Sequence, residues 1–192
     1  AVPALAAARL LAGPSDGPGP RQEAAEVLNE IEYADVAQAV VELPIDGLDR
    51  VLDASGILFP RTTGRLMTAC TWLSTKWDHY RRPGSALIRL SSGRFGDDRP
   101  SRLTDSELVD VLLDELSTVV EFRLPPTATR VVRWPKAFPQ YTPGHQSRVG
   151  RARELLAQSD RRIALVGAPY DGIGVPACIA AGRQAATNLM SR

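Results

Sequence analysis

The apolar positions of this chain form two kinds of pattern, short runs typical of strands and longer stripes typical of helices. The short runs, some of which alternate with polar residues, end at residues that favour turns. They predict strands at 36–43, 55–60, 65–72, 86–91, 129–134 and 163–166. The turn Arg61–Gly64 follows the second run and precedes the third, so we expect these two strands to form a hairpin.

Apolar residues at helical spacing predict helices at 4–11, 22–31, 146–158 and 177–190. A further helix, the clearest, begins at Thr104, because Thr104 and Glu107 form a capping-box pattern ahead of an apolar stripe. Residues 13–20 predict an exposed loop, and residues 136–145, rich in proline and aromatic residues, predict irregular structure. Strands mixed with helices, with hairpins as well as crossovers, favour an α+β fold or a portion of a two-domain α/β protein.

The composition argues against nucleic-acid binding, metal binding and membrane insertion. The chain is 44% hydrophobic and 23% charged with a net charge of +1, so no field that would attract nucleic acid or a membrane surface is implied. Two cysteines and two histidines are too few for a disulfide framework or a zinc site, and we expect no metal. No apolar run reaches the roughly 18 residues of a membrane span, and no basic leader opens the chain, which favours a cytoplasmic location. The sequence begins without methionine, and Val2-Pro3 resembles the end of a strand that leads into a helix, so we expect a fragment of a longer protein.

The stretch from Ile163 onward reads as a strand, a glycine turn and a helix. Gly172 and Gly174 flank Ile173 and leave the backbone bare on either side of it, so a flat ligand can lie against the main chain. Pro176 suits the first turn of a helix. The free N–H groups at such a helix start favour a phosphate or an electron-rich ring. On this evidence alone, a plain strand-to-helix turn of an α/β domain is the better interpretation.

The order of residues around this turn is more specific. It reads Gly-Ala-x-Tyr-x-Gly-Ile-Gly-Val-Pro-x-Cys-Ile-x-x-Gly-Arg-Gln-Ala-Ala at 167–186, with Arg-Trp at 133–134, Pro-Gln-Tyr at 139–141 and Gly-His at 144–145 upstream. This order resembles the FAD-containing, oxygen-dependent porphyrinogen oxidases, a group within the amine-oxidase-like flavoproteins. Members of that group act on coproporphyrinogen III in Gram-positive bacteria, with actinobacteria as the expected source here, and on protoporphyrinogen IX elsewhere.

The resemblance implies an α+β fold, the C-terminal portion of a two-domain FAD-linked oxidoreductase. Residues 1–126 would belong to a mixed-sheet substrate-binding domain, with 1–36 as a connecting helical segment. Residues 127–192 would supply the last strand and helix of the FAD-binding domain. The Gly-x-Gly-x-x-Gly motif of that domain is absent from this chain, so a missing N-terminal portion would hold most of the FAD and the chain alone would be inactive.

Site residues follow from the same resemblance. The flavin ring would rest on Gly172, Ile173 and Gly174, and Trp134 would line it. For the porphyrinogen, Gly56 and Leu58 would face the ring, and Arg61 would meet a propionate, with Arg65 or Arg89 as alternatives. No residue is identified as the catalytic base.

The implied activity is oxidation of the porphyrinogen to the porphyrin in haem biosynthesis, with FAD as the hydride acceptor, O2 as the final acceptor and H2O2 as the product. Two alternatives stay open. One is a different amine-oxidase-like flavoprotein, such as an amine oxidase or a carotenoid desaturase. The other is a non-enzymatic module that binds a porphyrin or a partner protein.

Overall fold

The computed structural model describes residues 2–13, 19–48, 54–122, 124–160 and 162–191. They form two compact units, a sheet unit comprising Ala34–Ala137 and a helical unit comprising Ala1–Tyr33 and Phe138–Arg192. The α+β fold class is confirmed. The assignment of residues 1–126 to a substrate domain and of 127–192 to an FAD domain stays a prediction.

The strands are β1 (Tyr33–Pro44), β2 (Gly56–Leu58), β3 (Met67–Trp72), β4 (Ser85–Ser92) and β5 (Ala128–Pro139). The helices are α1 (Ala4–Leu11), α2 (Pro20–Asn29), α3 (Leu73–Lys76), α4 (Arg99–Arg102), α5 (Asp105–Ser117), α6 (His145–Ser159) and α7 (Val175–Met190). Single turns of 3-10 helix occupy Ile45–Gly47, Arg61–Thr63 and Asp78–Tyr80.

The sheet unit contains one five-stranded sheet in the order β2-β3-β4-β1-β5. β2 and β3 form the predicted antiparallel hairpin, and β4 is antiparallel to both β3 and β1. Alternate residues of β1 and β4 turn inward, as the period of two requires, and meet the buried side of α5. The inward residues of the two strands and the helix are Ala37, Ala39, Val41, Leu43, Ile88, Leu90, Leu108, Leu112 and Leu116.

A carboxylate joins α5 to the start of β3. The two carboxylate oxygens of Glu115 accept hydrogen bonds from the main-chain N–H groups of Leu66 and Met67, each at 2.8 Å. The ladder between β3 and β4 shifts register between Met67 and Ala69, so this end of β3 is held by a side chain as well as by its neighbour strand. At the other end of α5, Thr104 and Glu107 form the predicted capping box.

The helical unit is built on small side chains. α1 and α2 bury alanines that let helices approach closely, and α6 covers them with Val149, Ala152 and Leu156. The approach to α7 completes this core with Leu165 and Tyr170. α7 begins near its predicted position, with Pro176 in its first turn. Of its residues Val175–Met190, all within the described chain, none is buried.

Two predictions about elements are wrong. Residues 163–166 are not a strand: the one sheet of the described residues lies in the sheet unit, and no strand neighbour is present to pair with this segment. The irregular region predicted from 136 begins only after Pro139, because β5 lies at a sheet edge, where prolines are tolerated. The predicted loop at 13–20 lies largely outside the described residues, since 14–18 are not described.

Among the described helices, none combines the length and apolar character needed to cross a bilayer.

The Glu115 contact yields a test of what fixes the sheet unit. Glu115→Gln leaves one of the two N–H groups facing an amide donor, so we expect the free energy of unfolding to fall by about 1–3 kcal/mol. Urea unfolding followed by tryptophan fluorescence measures this, because Trp72 is buried in the same core. Asp114→Asn, on the exposed side of α5, is the matched control and should change stability by less than about 0.5 kcal/mol. Equal effects of the two substitutions would contradict this role of Glu115.

Candidate functional site

The candidate site is the glycine turn, which we define as Gly172–Gly174, at the start of α7. Gly172 has φ +134°, a conformation that side chains rarely adopt, and a Cβ there would lie 3.0 Å from the Cβ of Ala177. Its own fold therefore requires glycine at this position. Ile173 is 46% exposed, and its side chain is not part of the core.

Gly174 is different. Its φ of −69° and ψ of 144° are accessible to any residue. A Cβ at this position would meet only the Cδ of Pro176, at 3.8 Å, which is ordinary contact. Gly174 is the N-cap of α7, and within the described residues neither backbone conformation nor packing requires glycine there, so its main chain is left bare.

The turn leads directly into an uncapped helix start. No side chain caps the N-terminus of α7, and its first turn carries no acidic residue. The first helical hydrogen bond of α7 runs from Cys178 N–H to the Gly174 carbonyl, at 3.0 Å. Main-chain donors and the positive end of the helix dipole are thus presented beside the bare backbone, an arrangement suited to an electron-rich or anionic ligand.

The approach loop, which we define as Gly167–Asp171, holds the turn from its N-terminal side. The Tyr141 hydroxyl donates to the Ala168 carbonyl at 2.6 Å. Burial raises the pKa of Tyr141, and a hydrogen bond with the Gly172 main chain opposes that rise. Tyr170 is 1% exposed, and burial raises the pKa of its hydroxyl to about 12. The loop is therefore anchored by one buried aromatic ring and one hydroxyl.

His145, the first residue of α6, supports the same arrangement. Its ring stacks on Tyr141 with centroids 4.0 Å apart and planes 12° apart, and the residue is 3% exposed. Burial lowers the pKa of His145, and the charge of Arg148 lowers it further, while a hydrogen bond with the Pro169 main chain acts in the opposite direction. The neutral imidazole is the form that this site favours.

Trp134 lies on β5 in the sheet unit and is 43% exposed, whereas Trp72 occupies the core of that unit. The chain on either side of Trp134 is held in place by hydrogen bonds. Arg133 is bound to Asp105 and to two main-chain carbonyls, with its closest contact at 2.6 Å to Pro100. Lys136 has φ 51°, and its N–H donates to Asp35 at 2.7 Å. The indole is thus an apolar surface on a well-held segment.

The predicted substrate residues lie together at the opposite edge of the sheet. Gly56 and Leu58 are both on β2, and Arg61 begins the next turn. The fold itself requires glycine at position 56, because a Cβ there would lie 2.1 Å from the Cys70 carbonyl oxygen across the hairpin. Leu58 is 82% exposed, so its side chain is free for contact.

The arginines near this edge are held by main-chain carbonyls. Arg61 donates to the Phe95 carbonyl, and Arg65 donates to the Glu115 carbonyl at 2.8 Å. Arg89 instead faces the Thr71 hydroxyl at 3.4 Å. A carbonyl orients a guanidinium without neutralising its charge, so Arg61 and Arg65 remain able to attract a carboxylate.

The structure therefore groups the predicted residues in three places. Gly172, Ile173 and Gly174 form one continuous surface of the helical unit. Within the sheet unit, β2 and β5 are separated by three strands, or roughly 19 Å at the usual strand spacing, so Trp134 and the Gly56–Arg61 group do not share one pocket there.

Comparison with known proteins adds a second kind of evidence. No family model matches the chain. It is 38% identical over 190 residues to the coproporphyrinogen III oxidase of Mycobacterium tuberculosis, covering 99% of this chain and 39% of that protein. The coproporphyrinogen III oxidase of Bacillus subtilis is 30% identical over 164 residues, covering 85% of this chain and 35% of that protein. This chain is homologous to part of the coproporphyrinogen III oxidases.

A solved structure agrees in fold. A protein from Exiguobacterium that has been assigned as a protoporphyrinogen oxidase superposes with a TM-score of 0.78 at 26% identity, over 100% of this chain and 40% of that one. Reduced UDP-galactopyranose mutase superposes with a TM-score of 0.66 at 16% identity, which shows a shared fold alone. The chain spans about two fifths or less of the length of these relatives.

Several residues of this site were not among the predicted ones. Arg153, on α6, contacts both carboxylate oxygens of Asp171, the residue just before the glycine turn. Asp171 carries a weak sequence signal, since it is a charged residue inside the glycine motif. Tyr141 lies in the Pro-Gln-Tyr motif at 139–141. Arg153 carries no signal, because its contacts depend on how α6 packs.

The two glycines of the turn give a first test. In the protein without added ligand, Gly172→Ala forces a side chain into a strained conformation and should lower stability by about 1–3 kcal/mol. Gly174→Ala has no such conflict, and at the N-cap of α7 it should lower stability by less than about 1 kcal/mol. Thermal unfolding followed by far-UV circular dichroism measures both. Equal losses would show that packing, not an external surface, explains both glycines.

The buried His145 gives a second test. Its folded-state pKa is below the unfolded value, so the unfolded state takes up the proton first and stability falls as the pH drops below about 6.5. Urea unfolding between pH 7.5 and 5.5 should show the free energy of unfolding falling with pH, by no more than about 1.4 kcal/mol per pH unit. His145→Gln should lose that contribution, and His79→Gln, at an exposed position, should retain it. A slope unchanged by His145→Gln would contradict the account.

Proposed function

We propose that this chain is the C-terminal portion of an FAD-dependent porphyrinogen oxidase that converts coproporphyrinogen III to coproporphyrin III with O2 as acceptor and H2O2 as product. Protoporphyrinogen IX is the alternative substrate. The observation that carries the proposal is Gly174, a glycine that the described chain does not itself require, beside an uncapped helix start. Similarity to coproporphyrinogen III oxidases over most of the chain supports the same conclusion.

The residues present fit one part of a flavin. An isoalloxazine ring is flat and electron-rich, and the glycine turn offers bare backbone with the helix dipole behind it. Ile173 and Trp134 add exposed apolar surface of the kind that such a ring contacts. The chain has no Gly-x-Gly-x-x-Gly motif for the pyrophosphate. We therefore assign the ring to Gly172, Ile173 and Gly174, and the adenosine and pyrophosphate to an N-terminal portion; Trp134 is assigned to the flavin on the family resemblance alone.

The helical unit has a place for such a portion. A cavity of about 690 Å³ lies between α7 and residues 163–166, with small side chains such as Ala177 and Ala181 along it. Within the described residues, no backbone–backbone hydrogen bond involves Ala164, Leu165 or Val166. The Leu165 carbonyl accepts a hydrogen bond from the Arg153 side chain, but an apolar segment without backbone pairing is still a template for an added strand. We infer that a strand of the N-terminal portion pairs here and covers the cavity.

The substrate surface is assigned to the β2 edge. A porphyrinogen needs flat apolar contact for its ring and cations for its propionates. Leu58 supplies exposed apolar surface, and Arg61 supplies a charge that the Phe95 carbonyl orients. Gly56 lets β2 lie close to β3, so that Leu58 is presented at the edge. These are the residues that would set substrate affinity.

When bound, the flavin supplies hydride acceptance from a methylene bridge and electron transfer to O2. The contribution of this chain is positioning. The glycine turn fixes the face of the ring that it contacts, and the approach loop keeps that turn in place. We assign no general base to this chain.

The proposal is tested in the complete protein, with the N-terminal portion present. Flavin binding followed by fluorescence should weaken at least tenfold on Gly174→Ala, because a methyl group would occupy the space of the ring. Gly150→Ala, in α6 with open space around it, is the matched control and should bind flavin normally. Oxidation rates with coproporphyrinogen III and protoporphyrinogen IX then give the substrate preference, and we expect the former to be faster.

Other results would point to the alternatives. Tight flavin binding by Gly174→Ala would contradict the assigned ring position. Flavin reduction by an amine but by neither porphyrinogen would favour a different flavoprotein of the same superfamily. Porphyrin binding without flavin in the complete protein would favour a non-enzymatic module.

A further inference from the structure

One arginine joins three pieces of the helical unit. The Nη2 atom of Arg153 lies 2.8 Å and 2.7 Å from the two carboxylate oxygens of Asp171, and 3.1 Å from the carbonyl oxygen of Leu165. Through this group, α6 is joined both to the segment that enters the approach loop and to the last residue of that loop. Gly172 follows immediately.

The Asp171 carboxylate is the last side-chain anchor before the turn. Upstream, Tyr141 holds Ala168, and the ring of Tyr170 is buried in the core. Downstream, the Gly172 carbonyl faces the Cys178 thiol at 3.5 Å, a weak contact. Glycine backbone is the most freely rotating in a protein. A hydrogen bond between Tyr141 and the Gly172 main chain also holds the turn, so the Asp171 carboxylate and Tyr141 are the side-chain groups that fix its direction.

We propose that Arg153 and Asp171 are a positioning pair that sets the orientation of the glycine turn toward the flavin ring. This inference rests on the function proposed above. Neither residue need touch the ring. A displacement of about 1 Å at a reacting centre reduces rates by as much as about 100-fold, so the direction of this short turn bears on catalysis.

The pair is poorly suited to a purely stabilising role. The two side chains are 41% and 31% exposed, and ion pairs that solvent reaches to this extent add little to the stability of a fold. Loss of the pair should therefore leave the fold intact. Catalytic effects can then be separated from unfolding.

The test uses the complete protein with Asp171→Asn, which keeps the size of the side chain and removes its charge, and Asp171→Glu, which keeps the charge. Asp160→Asn is the matched control, because it breaks an arginine–aspartate pair with Arg162 in the same unit, away from the turn. Three quantities are measured: the kcat and KM for coproporphyrinogen III, the absorbance spectrum of the bound flavin, and the hydrogen-exchange rates of the main-chain amides at 172–174 before flavin is added.

We expect Asp171→Asn to lower kcat at least tenfold with KM within about twofold, to shift the flavin absorbance bands, and to speed exchange at 172–174 at least tenfold. Asp171→Glu should recover much of the kcat, and Asp160→Asn should match the unmodified protein. The melting temperature should be similar in all variants.

An unchanged kcat and unchanged exchange in Asp171→Asn would overturn the proposal. So would a loss of kcat that follows a loss of melting temperature and is not recovered by Asp171→Glu, because the pair would then be structural only. If the unmodified protein neither binds flavin nor oxidises porphyrinogen, the proposed function fails. The exchange rates still decide whether the pair holds the turn.

Discussion

A backbone conformation that only glycine readily adopts, at Gly172, determines how the helical unit ends. It turns the chain out of the approach loop and lets α7 begin with Pro176 in its first turn and without a cap. None of the residues of α7, Val175–Met190, is buried against the described chain. The proposal that a flat cofactor and a further part of the protein complete this surface accounts together for the exposed helix, the segment at 163–166 that joins no strand, and the bare backbone at Gly174.

Three glycines show why residue type alone does not reveal a site. Gly56 is explained by the strand beside it, where any Cβ would collide with the Cys70 carbonyl. Gly172 is explained by its dihedral angle. Gly174 has neither reason, and we propose that the space left by its missing side chain is used by a ligand. The sequence motif marks Gly172 and Gly174 equally, and the geometry separates their roles.

The fold was predictable wherever an element carries its own pattern. The alternation along β1 and β4 and the stripe and capping box of α5 depend on local period and were recovered. Residues 163–166 have a strand's composition but no strand to pair with among the described residues. The glycine turn was predictable from its motif. The contacts of Arg153 with Asp171 and of Tyr141 with Ala168 were not, because 18 and 27 residues separate the partners and only tertiary packing brings them together.

The central claim is that the glycine turn contacts the flavin ring. A crystal structure of the complete protein with bound FAD tests it most directly. The account predicts the isoalloxazine ring in van der Waals contact with the main chain of Gly172–Gly174, with the Asp171 carboxylate still bound to Arg153. A ring bound elsewhere, with the glycine turn covered by protein, would contradict the account.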